Sequence, residues 1–176
     1  MNEVIKAMLT RRSTKNFKPD MIPESDIDTI IQAGLYAANG RGRQASIVVA
    51  ISDKKVRDRL SEVNCKIGGW PAGFDPFYGA PVVLVVLDEK SDSTKVYDGS
   101  LVMGNMMLAA SSLGIGSCWI HRAKETFELP EFKEFLKSIG VREEYEGVGH
   151  CVLGYPTSDE KKTPVERKSG RVFYVR

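Results

Sequence analysis

Residues 98–120 read DGSLVMGNMMLAASSLGIGSCWI, and this stretch decides the fold. Its first part predicts a helix that begins near Asp98 or Ser100 and ends at Gly114. Because the helix is apolar or small on nearly every side, we expect it to be enclosed, either by the domain's own core or by a partner chain. The segment IGSCWI that closes the stretch predicts a strand.

Outward from this stretch, predicted helices and strands interleave along the chain. Apolar residues at helical spacing predict helices over 2–12, from Ser25 to Asn39-Gly40, over 54–63 and over 128–140. Short apolar runs predict strands over 45–52, 82–89, 147–156 and 171–176. The second helix should start at Ser25, because Ser25 and Asp28 form an S-x-x-D capping pattern. Residues 64–81 are rich in Gly, Pro and aromatic residues and predict a long loop, which in a compact domain is usually functional.

The composition bounds the size and class of the protein. At 176 residues and 19.5 kDa the chain is long enough for one domain and short for two, so we predict a single domain over residues 1–176. A formal net charge of +2 is too small for wholesale nucleic-acid binding, which confines any basic site to a local cluster. No apolar run approaches the ~20 residues of a membrane span, and the first residues lack a signal-peptide core. We therefore expect a cytoplasmic protein with no membrane or nucleic-acid partner.

The cysteines and histidines do not form a recognisable reactive site. Cys65, Cys118 and Cys151 contain no C-x-x-C pair, so the sequence predicts neither a disulfide framework nor a zinc ribbon. Cys118 and His121 are three apart on a predicted strand, and His150 adjoins Cys151, so neither pair can converge on one metal ion. No G-x-S-x-G elbow is present. We expect no metal site and no side-chain nucleophile, with Cys118 and Cys151 in the core.

Three segments concentrate positive charge beside glycine or hydroxyl residues: RRSTK at 11–15, NGRGRQ at 39–44 and ERKSGR at 166–171. Arginine offers a planar fork that matches phosphate, lysine adds a point charge, and Ser or Thr hydroxyls fill the remaining phosphate lone pairs. RRSTK is therefore a chemically suitable phosphate site. The alternative for Arg11 and Arg12 is a solvated position at the carbonyl end of the first helix.

The common nucleotide-binding motifs do not account for these clusters. The chain has no G-x-x-x-x-G-K-[ST] motif of a P-loop. GRGRQA at 40–45 matches the letters G-x-G-x-x-A, but it follows a predicted helix and precedes a predicted strand, which reverses the order of a dinucleotide-binding motif. The remaining candidate for what the basic clusters bind is a small phosphorylated ligand.

Several of these segments, in this order, resemble the FMN-dependent nitroreductase family. The family's R-[RH]-S-x-[RK]-x-F motif stands here as RRSTKNF at 11–17, and AANGRGRQ at 37–44 is similar to its A-P-S-G-R-G-x-Q segment. The stretch 98–120 resembles its long dimer-core helix and the following strand, and VGHCVLGYP at 148–156 resembles its V-A-L-G-Y-P strand. The resemblance spans nearly the whole chain. It implies an α+β fold with a mixed, largely antiparallel sheet flanked by helices, in an intertwined homodimer with two FMN molecules at the interface.

The resemblance also implies which residues contact the cofactor. Those on the FMN phosphate, ribityl chain and pyrimidine edge are Arg11, Arg12, Ser13 and Lys15, with Arg167 closing the phosphate site. Those that reach the same flavin, typically from the partner chain, are Asn39, Gly40, Arg41 and Gln44. Those in the turn whose backbone lies along the flavin and bonds its N5 edge are Ile120, His121 and Arg122. No catalytic side chain is then required, because the flavin carries the hydride chemistry and the protein positions it.

The activity implied is a ping-pong cycle, in which NADH or NADPH reduces FMN and a nitroaromatic, quinone-like or related small planar acceptor reoxidises it. The alternatives are other flavin chemistry in the same fold, namely reductive dehalogenation or flavin breakdown, and a phosphate-ligand binding protein without catalysis. The aromatic residues of the long loop are expected either to cover the flavin face or to pack against the core: Trp70, Phe74, Phe77 and Tyr78. Ala45-Ser46 and His121-Arg122 depart from the family pattern, which leaves the acceptor and the electron donor open.

Overall fold

The structure is a computed structural model that describes residues 1–142, 144–157 and 164–176. One antiparallel sheet of four strands organises it, with the strands in the spatial order β1-β2-β4-β3. The strand bounds are β1 Ile47–Ile51, β2 Val82–Glu89, β3 Gly116–Ile120 and β4 Tyr145–Gly154. The helix bounds are α1 Glu3–Thr10, α2 Glu24–Leu35, α3 Lys54–Gly68, α4 Lys95–Ser112, α5 Ala123–Phe127 and α6 Pro130–Ser138. The predicted α+β class is confirmed.

Both faces of the sheet are covered, because β2 is apolar along both of its faces. Its alternate residues Val83, Val85 and Leu87 lie in one core, which contains buried residues of α3, α5 and α6. Val82, Leu84 and Val86 lie in a second core on the opposite face, with buried residues of α2 and α4. A strand buried on both sides has no polar face, which explains the continuous apolar run of β2.

Several predicted boundaries differ from those of the structure. Helix α2 begins at Glu24 after Pro23 rather than at Ser25, without a side-chain cap, and it ends at Leu35 instead of continuing to Asn39. Helix α3 continues to Gly68, because Gly69 adopts the left-handed conformation that ends a helix (φ 70°). The long loop is correspondingly shorter than predicted. Helix α5 and the first turn of α4 were not predicted. The three ladders among the described strands are antiparallel, and the isolated bridge between Ser13 and Ser117 is parallel.

The strand predicted over 171–176 is wrong for the described chain. This segment is irregular and exposed throughout, with Phe173 at 87% exposure and Val175 fully exposed. Its alternating apolar pattern suits a strand, but within its own chain it pairs with no sheet edge among the described residues. A strand needs a ladder partner as well as a suitable pattern.

Two helices leave apolar residues uncovered. Helix α4 packs Met103 and Met106 into the core, but Tyr97 and Leu101 on its outer side are exposed at 73% and 50%. No residue of α1 is buried, although the helix carries Val4, Ile5, Met8 and Leu9. The domain's own core therefore encloses only part of α4. The other expectation, that a partner chain encloses this helix, stays a prediction for its outer side. No helix within the described ranges is long and apolar enough to cross a membrane.

Candidate functional site

The first basic cluster lies against the outer strand β3. Ser13 forms a parallel bridge with Ser117, and the Thr14 amide donates to the Ser117 carbonyl oxygen at 2.9 Å. Gly116 permits this close approach, because a Cβ atom there would lie 2.6 Å from the Thr14 hydroxyl oxygen. We call this region, from Arg11 to Lys15, the β3 edge.

The two arginines of the β3 edge are partly buried, and some of their buried nitrogen atoms are unpaired in the described structure. Arg12 Nη1 donates to the carbonyl oxygens of Leu9 at 2.9 Å and Arg11 at 2.6 Å, so part of the guanidinium caps the carbonyl end of α1. Arg12 Nε, Arg12 Nη2 and Arg11 Nη1 are buried and have no hydrogen-bond partner in the described structure. Buried donors without partners cost free energy, and guanidinium donors bind anionic oxygens most strongly. The site therefore fits an anionic ligand such as a phosphate.

Lys15 connects the β3 edge to the aromatic loop. Its Nζ lies 5.5 Å from the centroid of the Tyr78 ring, and the Tyr78, Phe74 and Trp70 rings follow at centroid distances of 6.0 and 5.7 Å. Phe77 is fully buried in the core and cannot take part in a cover over a ligand. A cavity of 590 Å³ opens between α3 and this loop, with Trp70 and Phe74 in its lining.

The predicted flavin-edge turn follows β3 and is held from inside the protein. The His121 carbonyl oxygen accepts a hydrogen bond from Asn64 Nδ2 at 2.8 Å, and the Ile120 carbonyl oxygen lies 3.3 Å from His150 Nδ1. Burial lowers the pKa of His150 to about 4, so its ring is neutral at pH 7 and Nδ1 donates. The Arg122 side chain turns away to pair with Glu125 at 2.9 Å.

The second predicted set of contacts lies at the other outer strand, before β1. Asp98 Oδ2 accepts from the Gly40 amide at 2.9 Å, and Asn39 Oδ1 accepts from the Gln44 amide at 3.0 Å. A cavity of 360 Å³ lies beside Asn39 and Gln44. We call this region, from Asn39 to Ser46, the β1 edge.

Three aspartates that the sequence analysis did not assign to the site hold the β1 edge in place. Besides Asp98 on Gly40, Asp92 pairs with Arg43 at 3.6 Å, and Asp88 accepts a hydrogen bond from Ser46. All three carboxylates are nearly or fully buried. Burial raises the pKa of Asp88, and the neighbouring Asp92 and Asp98 charges add to the rise. Asp98 had been considered only as a helix start, because its contact with Gly40 spans 58 positions of sequence.

Backbone strain is concentrated at both edges. In the described ranges, four residues other than glycine adopt positive φ: Arg41 at 57°, Gln44 at 52°, Tyr78 at 55° and Arg122 at 76°. Three of these are predicted cofactor contacts and the fourth lies against Lys15. Such conformations cost free energy and cluster at functional sites.

One protomer does not bring the two edges together. β1 and β3 are the outer strands of the sheet, so the edges are separated by three strand spacings of about 4.8 Å, or roughly 14 Å. The strand registers also place them at opposite ends of the sheet, since Ile47 pairs with Leu87 and Ser117 with Leu153 beside Val82. Arg167 is exposed and lies in the irregular C-terminal segment.

The remaining reactive residue types are core residues. Cys118 and Cys151 are buried, as predicted, and burial raises the pKa of the Cys151 thiol to about 12. A thiol with that pKa supplies no thiolate at neutral pH. Among the described residues, no group of three or more His, Cys, Asp and Glu side chains is placed to hold a metal ion.

Comparisons with known proteins match the whole extent of the fold. The sequence model of the family described as Nitroreductase family matches residues 8–66 and 70–155. The crystal structure of a nitroreductase with bound FMN from Bacteroides fragilis aligns over 100% of both chains, with 28% identity and a TM-score of 0.91. One from Desulfitobacterium hafniense, also with bound FMN, aligns over 100% of both chains, with 26% identity and a TM-score of 0.87.

A curated relative of similar sequence is named for its activity. It is the FMN reductase [NAD(P)H] of Bacillus subtilis, which is 25% identical over 194 aligned positions that cover 93% of this chain and 70% of the relative. Together with the family match, which spans most of the chain, these similarities agree with the sheet order, the flanking helices and the basic motif beside β3. This chain belongs to the nitroreductase family.

Proposed function

We propose that this chain is an FMN-dependent NAD(P)H oxidoreductase. The observation that carries the proposal is the set of buried, unpaired guanidinium donors of Arg11 and Arg12 beside β3. These donors require an anionic acceptor, and FMN carries a phosphate with nearly two negative charges. Support comes from the two similar nitroreductases with bound FMN and from the related FMN reductase.

The chain's own residues have binding and positioning roles in this proposal. When bound, FMN supplies hydride transfer between the nicotinamide and the acceptor. Arg11, Arg12 and Ser13 hold the phosphate and the ribityl chain, and Lys15 faces the pyrimidine edge. The cations also favour the electron-rich reduced ring, because positive charge near it stabilises negative charge. The turn Ile120, His121 and Arg122 lies along the flavin's N5 edge.

The complete site requires a homodimer. The β1 edge, with Asn39, Gly40, Arg41 and Gln44, is too far from the β3 edge of its own chain to contact the same flavin. The exposed apolar residues of α1 and α4 provide a surface for a second copy, and the exposed segment 171–176 carries a strand pattern without a partner in its own chain. In such a dimer, Arg167 from the exposed C-terminal segment closes the phosphate site.

A mixed dimer tests the shared site. One protomer carries Arg12→Glu and the other carries Arg41→Glu. If each site combines the β3 edge of one chain with the β1 edge of the other, one site has both substitutions and the other has neither. We expect one FMN per mixed dimer at wild-type affinity, whereas either homodimeric variant binds far more weakly. Two equally weakened sites in the mixed dimer would show that both edges of a site come from one chain.

The activity is tested on purified protein. We expect stoichiometric FMN that bleaches anaerobically with NADH or NADPH and recovers its colour when a nitroaromatic or a quinone is added. Protein that cannot be loaded with FMN would overturn the proposal. Loaded protein that bleaches only with a different reductant would overturn the assignment of the donor.

The row of Trp70, Phe74 and Tyr78 suits a small planar acceptor, since aromatic rings stack on planar ligands. We infer that the acceptor belongs to the nitroaromatic or quinone-like class, and a screen of acceptors against the reduced protein identifies it. The single domain over residues 1–176 and the cytoplasmic location belong to the same proposal. A reducing compartment suits three buried free cysteines.

A further inference from the structure

Two buried polar side chains meet the turn after β3 from inside the protein. Asn64 on α3 and His150 on β4 both have 0% exposure, although each belongs to a residue type that is usually at least partly exposed. Asn64 Nδ2 donates to the His121 carbonyl oxygen at 2.8 Å, and His150 Nδ1 lies 3.3 Å from the Ile120 carbonyl oxygen. Both carbonyls of the turn therefore face the core.

The direction of these carbonyls fixes the direction of the next two amides. The described chain contains no cis peptide bond, and in a trans peptide the C=O and N–H groups point in opposite directions. The Ile120 carbonyl shares its peptide with the His121 amide, and the His121 carbonyl shares its peptide with the Arg122 amide. With both carbonyls turned inward, both N–H groups point away from the core.

The packing of Asn64 and His150 beneath the turn is energetically unfavourable by itself. Asn64 Oδ1 and His150 Nε2 are buried and have no hydrogen-bond partner among the described residues, and Arg122 is held at a φ of 76°. Unpaired buried polar atoms and positive φ at a residue other than glycine are both unfavourable. The His150 ring also contacts the rings of Phe77 and Phe127, at centroid distances of 5.3 and 6.1 Å, and this packing restricts its orientation. An apolar core at these two positions would avoid the unpaired atoms.

We propose that Asn64 and His150 are positioning residues that hold the His121 and Arg122 amides as preformed hydrogen-bond donors to the flavin ring. This inference rests on the proposed function and adds residues that do not touch the flavin. Preorganised amide donors stabilise negative charge more than water does, because they need no reorientation. N5 itself gains a hydrogen on reduction, so the acceptor for these donors would be the ring carbonyl oxygen on the same edge. That oxygen carries more negative charge after reduction, so the donors would favour the reduced flavin over the oxidised flavin.

The experiment compares the reduction potential of bound FMN in the wild type, Asn64→Leu and His150→Phe. We expect each variant to lose about tenfold more affinity for reduced than for oxidised FMN, which lowers the two-electron potential by about 30 mV. His150→Asn keeps a donor near the Nδ1 position, so its potential should stay near that of the wild type. Ser138→Ala, which removes a 2.7 Å side-chain hydrogen bond to the Phe135 carbonyl far from the turn, is the control.

A structural readout accompanies the potential. In crystals of the FMN-free Asn64→Leu protein, we expect the peptide between His121 and Arg122 to rotate from its wild-type orientation. If this variant fails to fold, Asn64→Ser replaces it, because serine is polar but too short to reach the His121 carbonyl. Unchanged potentials in folded variants would overturn the positioning role and leave the proposed function standing. Wild-type protein that binds no FMN would overturn the proposed function and this inference with it.

Discussion

The β3 edge and the β1 edge both contain arginines beside an outer strand, yet their donors have different partners. At the β3 edge, Arg11 and Arg12 hold buried donors that no described atom accepts. At the β1 edge, Arg43 pairs with Glu89 and Asp92, and Gly40 donates to Asp98. Under the proposed function, the β3 edge is the half of the site that depends on a ligand, whereas the β1 edge is held in shape by its own carboxylates.

The largest expected effect is on cofactor affinity at the β3 edge. In Arg12→Met, the bound phosphate loses two charge-assisted donors, each of which contributes about 1.5–3 kcal/mol. We expect FMN to bind at least 100-fold more weakly, which corresponds to about 2.7 kcal/mol. Flavin fluorescence quenching on FMN-free protein measures the affinity. An affinity within threefold of the wild type would remove Arg12 from the phosphate site.

The next effect concerns stability at the β1 edge. Asp98→Ala removes the carboxylate that accepts from the partly buried Gly40 amide at 2.9 Å and from the Thr94 hydroxyl at 2.8 Å. The loss should lower the free energy of unfolding by about 2 kcal/mol, which is within the range for hydrogen bonds to a charged acceptor. The contact between Asp98 and Gly40 lies within one chain. We therefore expect the same loss of stability with and without FMN, and urea unfolding measures it.

Glu62→Ala is the control for Asp98→Ala, because Glu62 is an exposed carboxylate whose ion pair with Arg59 lies at the surface. Exposed pairs of this kind contribute little, so its change should stay below about 1 kcal/mol. A loss in Asp98→Ala that disappears when FMN is bound would mean that the β1 edge also depends on the ligand.

A third effect is on the pH dependence of the free energy of unfolding, which should have opposite signs for one residue near each edge. Burial lowers the pKa of His150, beneath the β3-edge turn, to about 4, so the unfolded chain takes up a proton below pH 6.5 that the folded chain does not. The free energy of unfolding should therefore fall by about 1 kcal/mol between pH 6.5 and pH 5.5 on account of this residue. At the β1 edge, the raised pKa of Asp88 has the opposite sign, because the folded chain binds that proton more tightly and loses this stabilisation as pH rises.

The pH effect is measured as a difference between proteins. Urea unfolding of the wild type and of His150→Phe at both pH values cancels the carboxylates that the two proteins share. We expect the pH dependence to be smaller in His150→Phe by about 1 kcal/mol over this interval. Equal pH dependence in the two proteins would show that folding does not lower the pKa of His150.

The fold was largely predictable because its central elements carry strong local patterns. The uniformly apolar run of β2 and the small, apolar face of α4 indicated their burial directly. The errors arose where a local pattern needs a distant partner. The segment 171–176 has a strand pattern but no ladder within its described chain, and α2 begins at Glu24 because the chain turns at Pro23, not at the S-x-x-D pattern.

The sequence predicted which residue types form the candidate site, but not which of their polar atoms are buried or unpaired. RRSTK indicated a phosphate site from residue types alone, yet only the packing beside β3 shows that its guanidinium donors are buried and unpaired. His150 could be considered from sequence only as a base or a metal ligand. Its contact with the Ile120 carbonyl, like that of Asp98 with Gly40, depends on residues far apart in sequence. Long-range contacts of this kind leave no local signal.

The smallest expected effects are changes in the free energy of unfolding. They test the comparison of the two edges most directly, because they should have opposite signs at the β3 edge and the β1 edge. In FMN-free protein, Arg11→Met removes a buried donor without a partner and should raise the free energy of unfolding by about 1 kcal/mol. Arg43→Met removes partly exposed ion pairs with Glu89 and Asp92 and should lower it by about 0.5 kcal/mol. Urea unfolding of the two variants under the same conditions measures both changes. If Arg11→Met is instead the more destabilised of the two, the β3 edge is complete without its anion, and the difference between the edges disappears.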